Sequence, residues 1–168
     1  MWGNIYAGVD EPYVSPQQVC KSITAKELAF GECHSLVLSN KGKVYTFGVN
    51  EKSVLGNPLI PKGSIRNASS PNEVSLKDII SIASFEYNCA AVSSKGEIFY
   101  WGKSLDSEIE ISKPVKHFIP DVKFVRVSIG SNFMIALSGE PFLPFYYSKT
   151  FLICLFSKKM GRLCIQWE

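Results

Sequence analysis

Apolar residues come in short bursts along this chain. Within 33–39 and 43–47, leucine, valine and aromatic residues crowd together, and each run ends at a polar stretch that carries a glycine. Runs of that length match β-strands, and no segment of useful length carries the three-to-four-residue spacing of a helix. Between the runs lie Ser39-Asn40-Lys41-Gly42 and, further on, Ser93-Ser94-Lys95-Gly96. Both read as hairpin loops, in which Gly42 and Gly96 adopt a positive φ that a side chain would oppose. Successive side chains of a strand point to opposite faces, so Leu36 and Leu38 share one face and Val44 serves it from the paired strand. The pattern predicts small antiparallel sheets of about four strands each.

The sheets recur. GECHSLVLS (31–39), FEYNCAAVS (85–93) and GSNFMIALS (130–138) superpose when anchored on Gly31, Phe85 and Gly130, with offsets of 85 − 31 = 54 and 130 − 85 = 45. The offset of 54 also carries Gly42 onto Gly96, Tyr45 onto Phe99 and Gly48 onto Gly102. Pro16, Pro71 and Pro114 precede the anchors by 15, 14 and 16 residues, and Val19, Val74 and Val115 follow those prolines closely. An apolar residue stands just ahead of each anchor: Leu28, Ile82 or Val127. Trp2-Gly3 lies 45 residues before Phe47-Gly48. Periods of about 40–50 residues belong to propeller blades. A large aromatic closing a strand fills the wedge between neighbouring sheets, which predicts structural roles for Trp2, Phe47 and Trp101 rather than ligand stacking. The glycine after it lets the backbone turn or approach closely.

In order, the motif reads proline-x-x-valine, Ala-x-Gly-x-x-His-Ser-Leu, Lys-Gly-x-Val-Tyr-x-x-Gly and Asn-x-x-x-x-Leu-Gly. It resembles the regulator of chromosome condensation repeat. The best copy runs from Pro16 through LAFGECHSLVLSNKGKVYTFGVNEKSVLG to Gly56, a second from Pro71 to about Gly102, and a third from Pro114 to about Ser138. No Trp-Asp ending or Gly-Gly pair marks a WD or kelch repeat. The copies depart from the family pattern in places. His34 is replaced by Asn88 and Phe133, and Lys103-Ser104-Leu105-Asp106 stands where the Leu-Gly ending belongs. At the +45 offset from Phe99-Tyr100-Trp101-Gly102, the third copy offers Pro144-Phe145-Tyr146-Tyr147. The resemblance implies a propeller that is seven-bladed in the family. The expectation here is an all-β, incomplete β-propeller of about three antiparallel blades over 1–140, with an irregular, hydrophobic and divergent tail over 141–168. The chain then reads as a fragment or truncated isoform. Residues 57–70, NPLIPKGSIRNASS, read as a loop insert whose Lys62 and Arg66 could meet an acidic partner.

Composition narrows the chemistry. A net charge of +3, with lysines scattered from Lys21 to Lys159, lacks the dense basic run of a sequence-specific nucleic-acid binder. Cys20, Cys33, Cys89, Cys154 and Cys164 are odd in number and show no CxxC spacing, which favours free thiols over disulfides or zinc. In the tail, the apolar run Phe151–Phe156 is six residues long, against about 20 for a membrane span. Cys33 and His34 are neighbours, but adjacent strand residues face opposite ways, so they do not form a nucleophilic pair and His34 reads as a structural histidine within its blade. Asp106, Glu108 and Glu110 alternate as an acidic strand face without further ligands for a metal.

No residue is therefore assigned to catalysis, to a cofactor or to a metal, and no partner-binding residue is assigned. The expected role is a non-enzymatic protein-interaction module or scaffold in the cytoplasm or nucleus. Through the resemblance, its partner would be a small GTPase or a ubiquitin-pathway protein. The alternatives are guanine-nucleotide exchange on a small GTPase, and the propeller portion of a HECT-type ubiquitin ligase. Unpaired strand edges of an incomplete ring also predict self-association.

Overall fold

The computed structural model describes residues 20–105, 109–117, 122–131, 133–139, 151–157 and 161–167, the last two segments as backbone pairing only. They form three antiparallel sheets in chain order. The first holds β1 (Ala25–Phe30), β2 (His34–Ser39), β3 (Val44–Val49) and two short outer pieces, β4 (Ile65–Arg66) and β5 (Asn72–Glu73), which both pair with β3. The second is β6 (Ile79–Phe85), β7 (Asn88–Ser93), β8 (Ile98–Lys103) and β9 (Glu110–His117). The third is β10 (Phe124–Ile129), β11 (Phe133–Ser138), β12 (Phe151–Ser157) and β13 (Gly161–Trp167). Among the described residues there is no α-helix, only a single 3-10 turn at Glu51–Ser53.

The three sheets repeat one register. Ala25, Ile79 and Phe124 pair with Ser39, Ser93 and Ser138, and one residue later each first strand carries a bulge at Lys26, Ile80 or Val125. A bulge adds one unpaired residue and sharpens the twist, so its recurrence gives all three sheets the same curl. The serines opposite it are buried. Ser39 and Ser93 each accept a bond from the amide four residues on, at 3.1 and 3.3 Å, closing the predicted hairpins over Gly42 (φ 72) and Gly96 (φ 82).

The aromatic-glycine pair is explained by the same register. Gly48 lies opposite His34, and Gly102 opposite Asn88. Both glycines hold positive φ, 112 and 93, and a Cβ on either would run into the carbonyl oxygen of Cys33 or Tyr87. That carbonyl accepts the next amide, Val49 N–H or Lys103 N–H, at 2.8 Å in both sheets. Only a residue without Cβ lets the third strand close this tightly on the turn before the second.

Cores lie between sheets. Leu36, Leu38 and Val44 of the first sheet meet Ile79, Ile82, Cys89, Ala91 and Trp101 of the second. Ala90, Val92 and Ile98, from the opposite face of the second sheet, meet Phe124, Val127, Ile129, Met134 and Ala136 of the third. Fully burying one such side chain contributes roughly 1.5–3 kcal/mol, so face-to-face stacking is what makes these small sheets stable. Phe47 is buried as expected of a wedge, but it packs with Val37 and Ala68 on the first sheet's far face, away from the second.

Three expectations change. The third aromatic-glycine pair is not at 144–147, which lies outside the described residues. By register, β12 puts Phe156 opposite Met134 and Ser157 opposite Phe133, as β8 puts Trp101 opposite Cys89 and Gly102 opposite Asn88. The spacing from Trp101 is 156 − 101 = 55, close to the 54 of the first interval, because residues 139–150 replace the four-residue connection 94–97. The tail is also not irregular where described, since β12 and β13 complete the third sheet. Finally, the 57–70 loop contains strand β4, held opposite Gly48 and Val49. Trp2-Gly3 and Pro16 lie outside the described residues, as do Asp106 and Glu108.

Candidate functional site

Two kinds of polar cluster stand out: one at the joints between sheets, one on the loops at a single end of them. His34, at the start of β2, does not stay within its own sheet as expected. Its Nε2 lies 2.9 Å from Ser84 Oγ and 3.1 Å from Cys89 Sγ, both in the second sheet. Cys33 turns elsewhere, its thiol donating to Val49 O at 3.7 Å. A His-Ser-Cys constellation invites a catalytic reading, which burial argues against. His34 is 4% exposed and Cys89 0%. Loss of hydration holds the imidazole down at about 4 and pushes the Cys89 thiol up, so both are neutral near pH 7. A neutral thiol shut away from solvent is a poor nucleophile. His34 Nδ1 also lacks a hydrogen-bond partner, which a protonated ring could not tolerate cheaply. The cluster is a clasp between sheets.

The equivalent position in the next sheet repeats the job with other chemistry. Asn88 Nδ2 donates to Gly130 O at 3.1 Å and to Ser131 O at 2.8 Å, both in the turn ahead of β11. Sequence comparison shows the His-to-Asn exchange but not its purpose, because the partners belong to the following copy.

The second cluster sits where β3 leaves the first sheet. Asn50, 2% exposed, anchors the long loop that follows. Its amide donates to Ile60 O (2.8 Å) and Pro61 O (3.2 Å), while its carbonyl oxygen accepts Leu55 N–H at 3.1 Å. Leu55 and Val54 are thereby driven into the core between the first and second sheets. Val54 O receives Trp101 Nε1–H at 2.8 Å, and Leu55 O receives both Thr46 Oγ1–H at 2.9 Å and Asn72 Nδ2–H at 2.7 Å. This is the physical content of the Asn-x-x-x-x-Leu-Gly motif: one buried amide folds the loop root into a plug for the next sheet. Lys52 and Ser53 hold φ of 52 and 62 on that plug, a left-handed pair without glycine that persists only because its surroundings fix it.

Beyond its root the loop reaches solvent and is tied across to the second sheet. Lys62 Nζ lies 2.7 Å from the Glu110 carboxylate and Lys52 Nζ lies 3.5 Å from it. Ser53 Oγ donates to the same group at 3.4 Å. The Lys62 contact, first among these, holds Glu110 below the ordinary carboxylate range. Lys62, expected to be open to an acidic partner, is therefore already engaged within the chain, while Arg66 lies in β4. At the same end, the Glu32 carboxylate, through its hydrogen bond, holds the Tyr87 phenol up at about 12. Leu59 is 88% exposed on this loop, and Ile65 and Ile109 flank the ion-paired bridge, also exposed. Sequence reading missed Leu59 and Ile109, since isolated apolar residues in loops carry no pattern. Among the described residues no group of three or more His, Cys, Asp or Glu could hold a metal ion. No helix among them is long and apolar enough to cross a membrane.

No protein-family model matches the sequence. Among curated proteins, the human regulator of chromosome condensation is 29% identical over 119 residues, covering 66% of this chain and 28% of that protein. A Dictyostelium discoideum bifunctional serine/threonine-protein kinase/NEDD4-like E3 ubiquitin-protein ligase is 29% identical over 133 residues, 67% of this chain and 7% of its own length. Among solved structures, Prp20p from Saccharomyces cerevisiae superposes over 88% of this chain and 34% of its own, with TM-score 0.61 and 18% identity. That crystal structure was described together with the protein's binding to Gsp1p and histones. The chain thus spans about 28% of the length of the human relative it matches. The chain is thus similar in sequence to proteins of the regulator of chromosome condensation type, and its described sheets are arranged as an incomplete β-propeller.

Proposed function

We propose that the chain is a non-enzymatic protein-interaction module, working in the nucleus or cytoplasm, whose loops at the plug end of the sheets hold a protein partner. One observation carries this reading. The loop from Asn50 to Arg66 is pinned at its root by buried hydrogen bonds and bridged to Glu110, yet it presents Leu59 almost fully to solvent. An apolar side chain on a pre-ordered loop can be buried by a partner with little ordering cost, which is what a recognition contact needs.

A photo-crosslinking residue at Leu59, with one at Lys41 on the opposite hairpin end as control, tests it in cells. A protein captured from position 59 and not from 41 is the expected result. Equal capture at both positions, or none at 59, defeats the reading.

The likeness to Prp20p favours a second reading, nucleotide exchange on a small GTPase related to Gsp1p. The purified chain would then accelerate release of a fluorescent guanine nucleotide from such a GTPase, whereas a plain interaction module binds without acceleration. The Dictyostelium relative supports a third, more distant reading as the propeller portion of a ubiquitin ligase. Direct sequencing of the transcript on either side of this chain decides that one, through the presence or absence of a HECT region.

A further inference from the structure

The end of the sheets opposite the plug is a charged margin that no single stretch of sequence shows. Backbone hydrogen bonds join hairpin tips and strand starts there into one continuous rim. Within a sheet, Asn40 N–H donates to Thr24 O at 2.9 Å, Ser94 N–H to Asp78 O at 2.7 Å and Gly139 N–H to Lys123 O at 3.0 Å. Between sheets, Ile79 N–H donates to Gly42 O at 3.0 Å and Phe124 N–H to Gly96 O at 3.1 Å. Both crossings need glycine. A Cβ at Gly42 would stand 3.1 Å from Asp78 Cα, and one at Gly96 2.6 Å from Lys123 Cα. Because the same bonds recur from sheet to sheet, the three sheets end level with one another and the rim is flat rather than grooved.

Lysines cap this rim. Lys41 and Lys95 hold the same place in successive tips, one residue before Gly42 and Gly96. Lys77 and Lys123 stand at the strand starts on which those tips rest. All four are exposed, as is Lys21 at the entry to the first sheet. Among the described residues, Lys41, Lys77 and Lys95 enter no ion pair. Two acids at this end are already matched, Glu73 by Lys43 at 2.8 Å and Glu97 by Lys116 at 2.6 Å, which leaves Asp78 against the other lysines. The turns at the plug end carry Glu32 and Glu86 instead. Lysines scattered along the chain are thus gathered by the repeat onto one end.

Shape and residue type select the ligand. A flat array of ammonium groups meets a flat anionic surface at every tip, whereas a nucleic-acid duplex is a cylinder and meets it along one line. The tips carry no arginine fork for bidentate recognition and no aromatic ring on which a base could stack. Lysine is a point charge, which a layer of lipid headgroups satisfies without further geometry.

We propose that the hairpin rim docks the chain on an anionic membrane surface, a bilayer bearing phosphatidylserine, by charge and without insertion. Clusters of roughly four to eight basic residues are what such attraction draws on. Docked in this way, the chain turns Glu32, Glu86 and Leu59 away from the lipid, so a protein partner at the plug end and the bilayer occupy opposite ends. The docking does not depend on that partner.

Vesicle sedimentation of the full chain tests this, comparing phosphatidylcholine vesicles with vesicles that also hold about 30% phosphatidylserine, at about 0.1 M salt. The chain is expected to pellet only with the second kind, and to be released at about 0.5 M salt. K41E/K95E, at two exposed turn positions, is expected to lower the partition coefficient at least about tenfold, and K41Q/K95Q by less. Lys113→Glu, exposed in the middle of β9, should change it by less than about twofold. All three variants should keep the urea midpoint of the parent chain, which separates lost docking from lost folding. No pelleting with phosphatidylserine, equal pelleting with both vesicles, or undiminished pelleting of K41E/K95E overturns the proposal. So does release from the vesicles by duplex DNA at equal phosphate concentration, which would make nucleic acid the ligand.

Discussion

The two internal joints use the same positions and fill them with different side chains. At the first, Val54 and Leu55 of the plug join both sheets, Trp101 fills the wedge, and a histidine contacts a hydroxyl and a thiol. At the second, the wedge is filled by smaller residues, Ala90, Val92 and Ala136 among them, and an asparagine donates to two carbonyls. No loop of the second sheet supplies a comparable fully buried plug among the described residues. Leu105, at the corresponding exit from β8, is only partly buried against the second core. One scaffold thus varies the filling of its joints through the loop after its third strand while its register stays fixed.

The largest test of this difference is Trp101→Ala. Removing a 0%-exposed indole that also donates to Val54 O should cost about 3–5 kcal/mol in chemical denaturation. Hydrogen exchange should show the loss in β2 and β6, with β10 and β11 protected nearly as before. Uniform deprotection would mean the two joints are not separate units.

Next comes pH. The folded His34 titrates near 4, below its ordinary 6.5, so between those values the unfolded chain takes up a proton that the native chain refuses. Stability should therefore fall as pH drops from 6.5 to 4, by up to about 3 kcal/mol, with no further contribution from this group below 4. His34→Asn, borrowing the residue of the second joint, should flatten that slope in urea titrations at pH 7 and 4.5. An unchanged slope would acquit His34.

Asn88→Ala strips two carbonyls of their donor and should weaken the second joint by about 1–2 kcal/mol, read as faster exchange at Phe124 and Val127. The smallest effect belongs to Glu110→Gln. Its ion pairs are solvent-facing, so the midpoint should move by no more than about 2 °C, while protease cutting within 57–64 should rise as the bridge loosens.

Much of the first two sheets was legible because their constraints fall on residue types. Gly48 and Gly102 must lack a Cβ, Ser39 and Ser93 must close a hairpin, and these show at one spacing. The third sheet was half legible. Its first two strands match at 124–138, but the twelve-residue connection 139–150 shifts the phase, and Ser157 stands where glycine marked the other copies. A search fixed on the +45 offset therefore looked ten residues too early, since the true offset is 156 − 101 = 55. The loop root was visible as a motif, Asn50 through Gly56, though its role as a plug depends on Trp101, 47 residues beyond Val54. The clasp at His34 was hidden for the same reason. Its neighbour in sequence, Cys33, is irrelevant to it, and its real partners arrive 50 and 55 residues later.

One feature has reach beyond stability. The sequence copies and the sheets are out of step: Pro71 opens the second copy just ahead of β5, an outer piece of the first sheet, and Pro114 opens the third inside β9, on the outer edge of the second. A proline suits those rims, where a missing amide is least felt. Excising one sequence copy would consequently not delete one sheet but strip a margin from one and graft its successor's margin in place. The stagger works as an overlap between bricks: each of the first two sheets takes its body from one copy and its margin from the next.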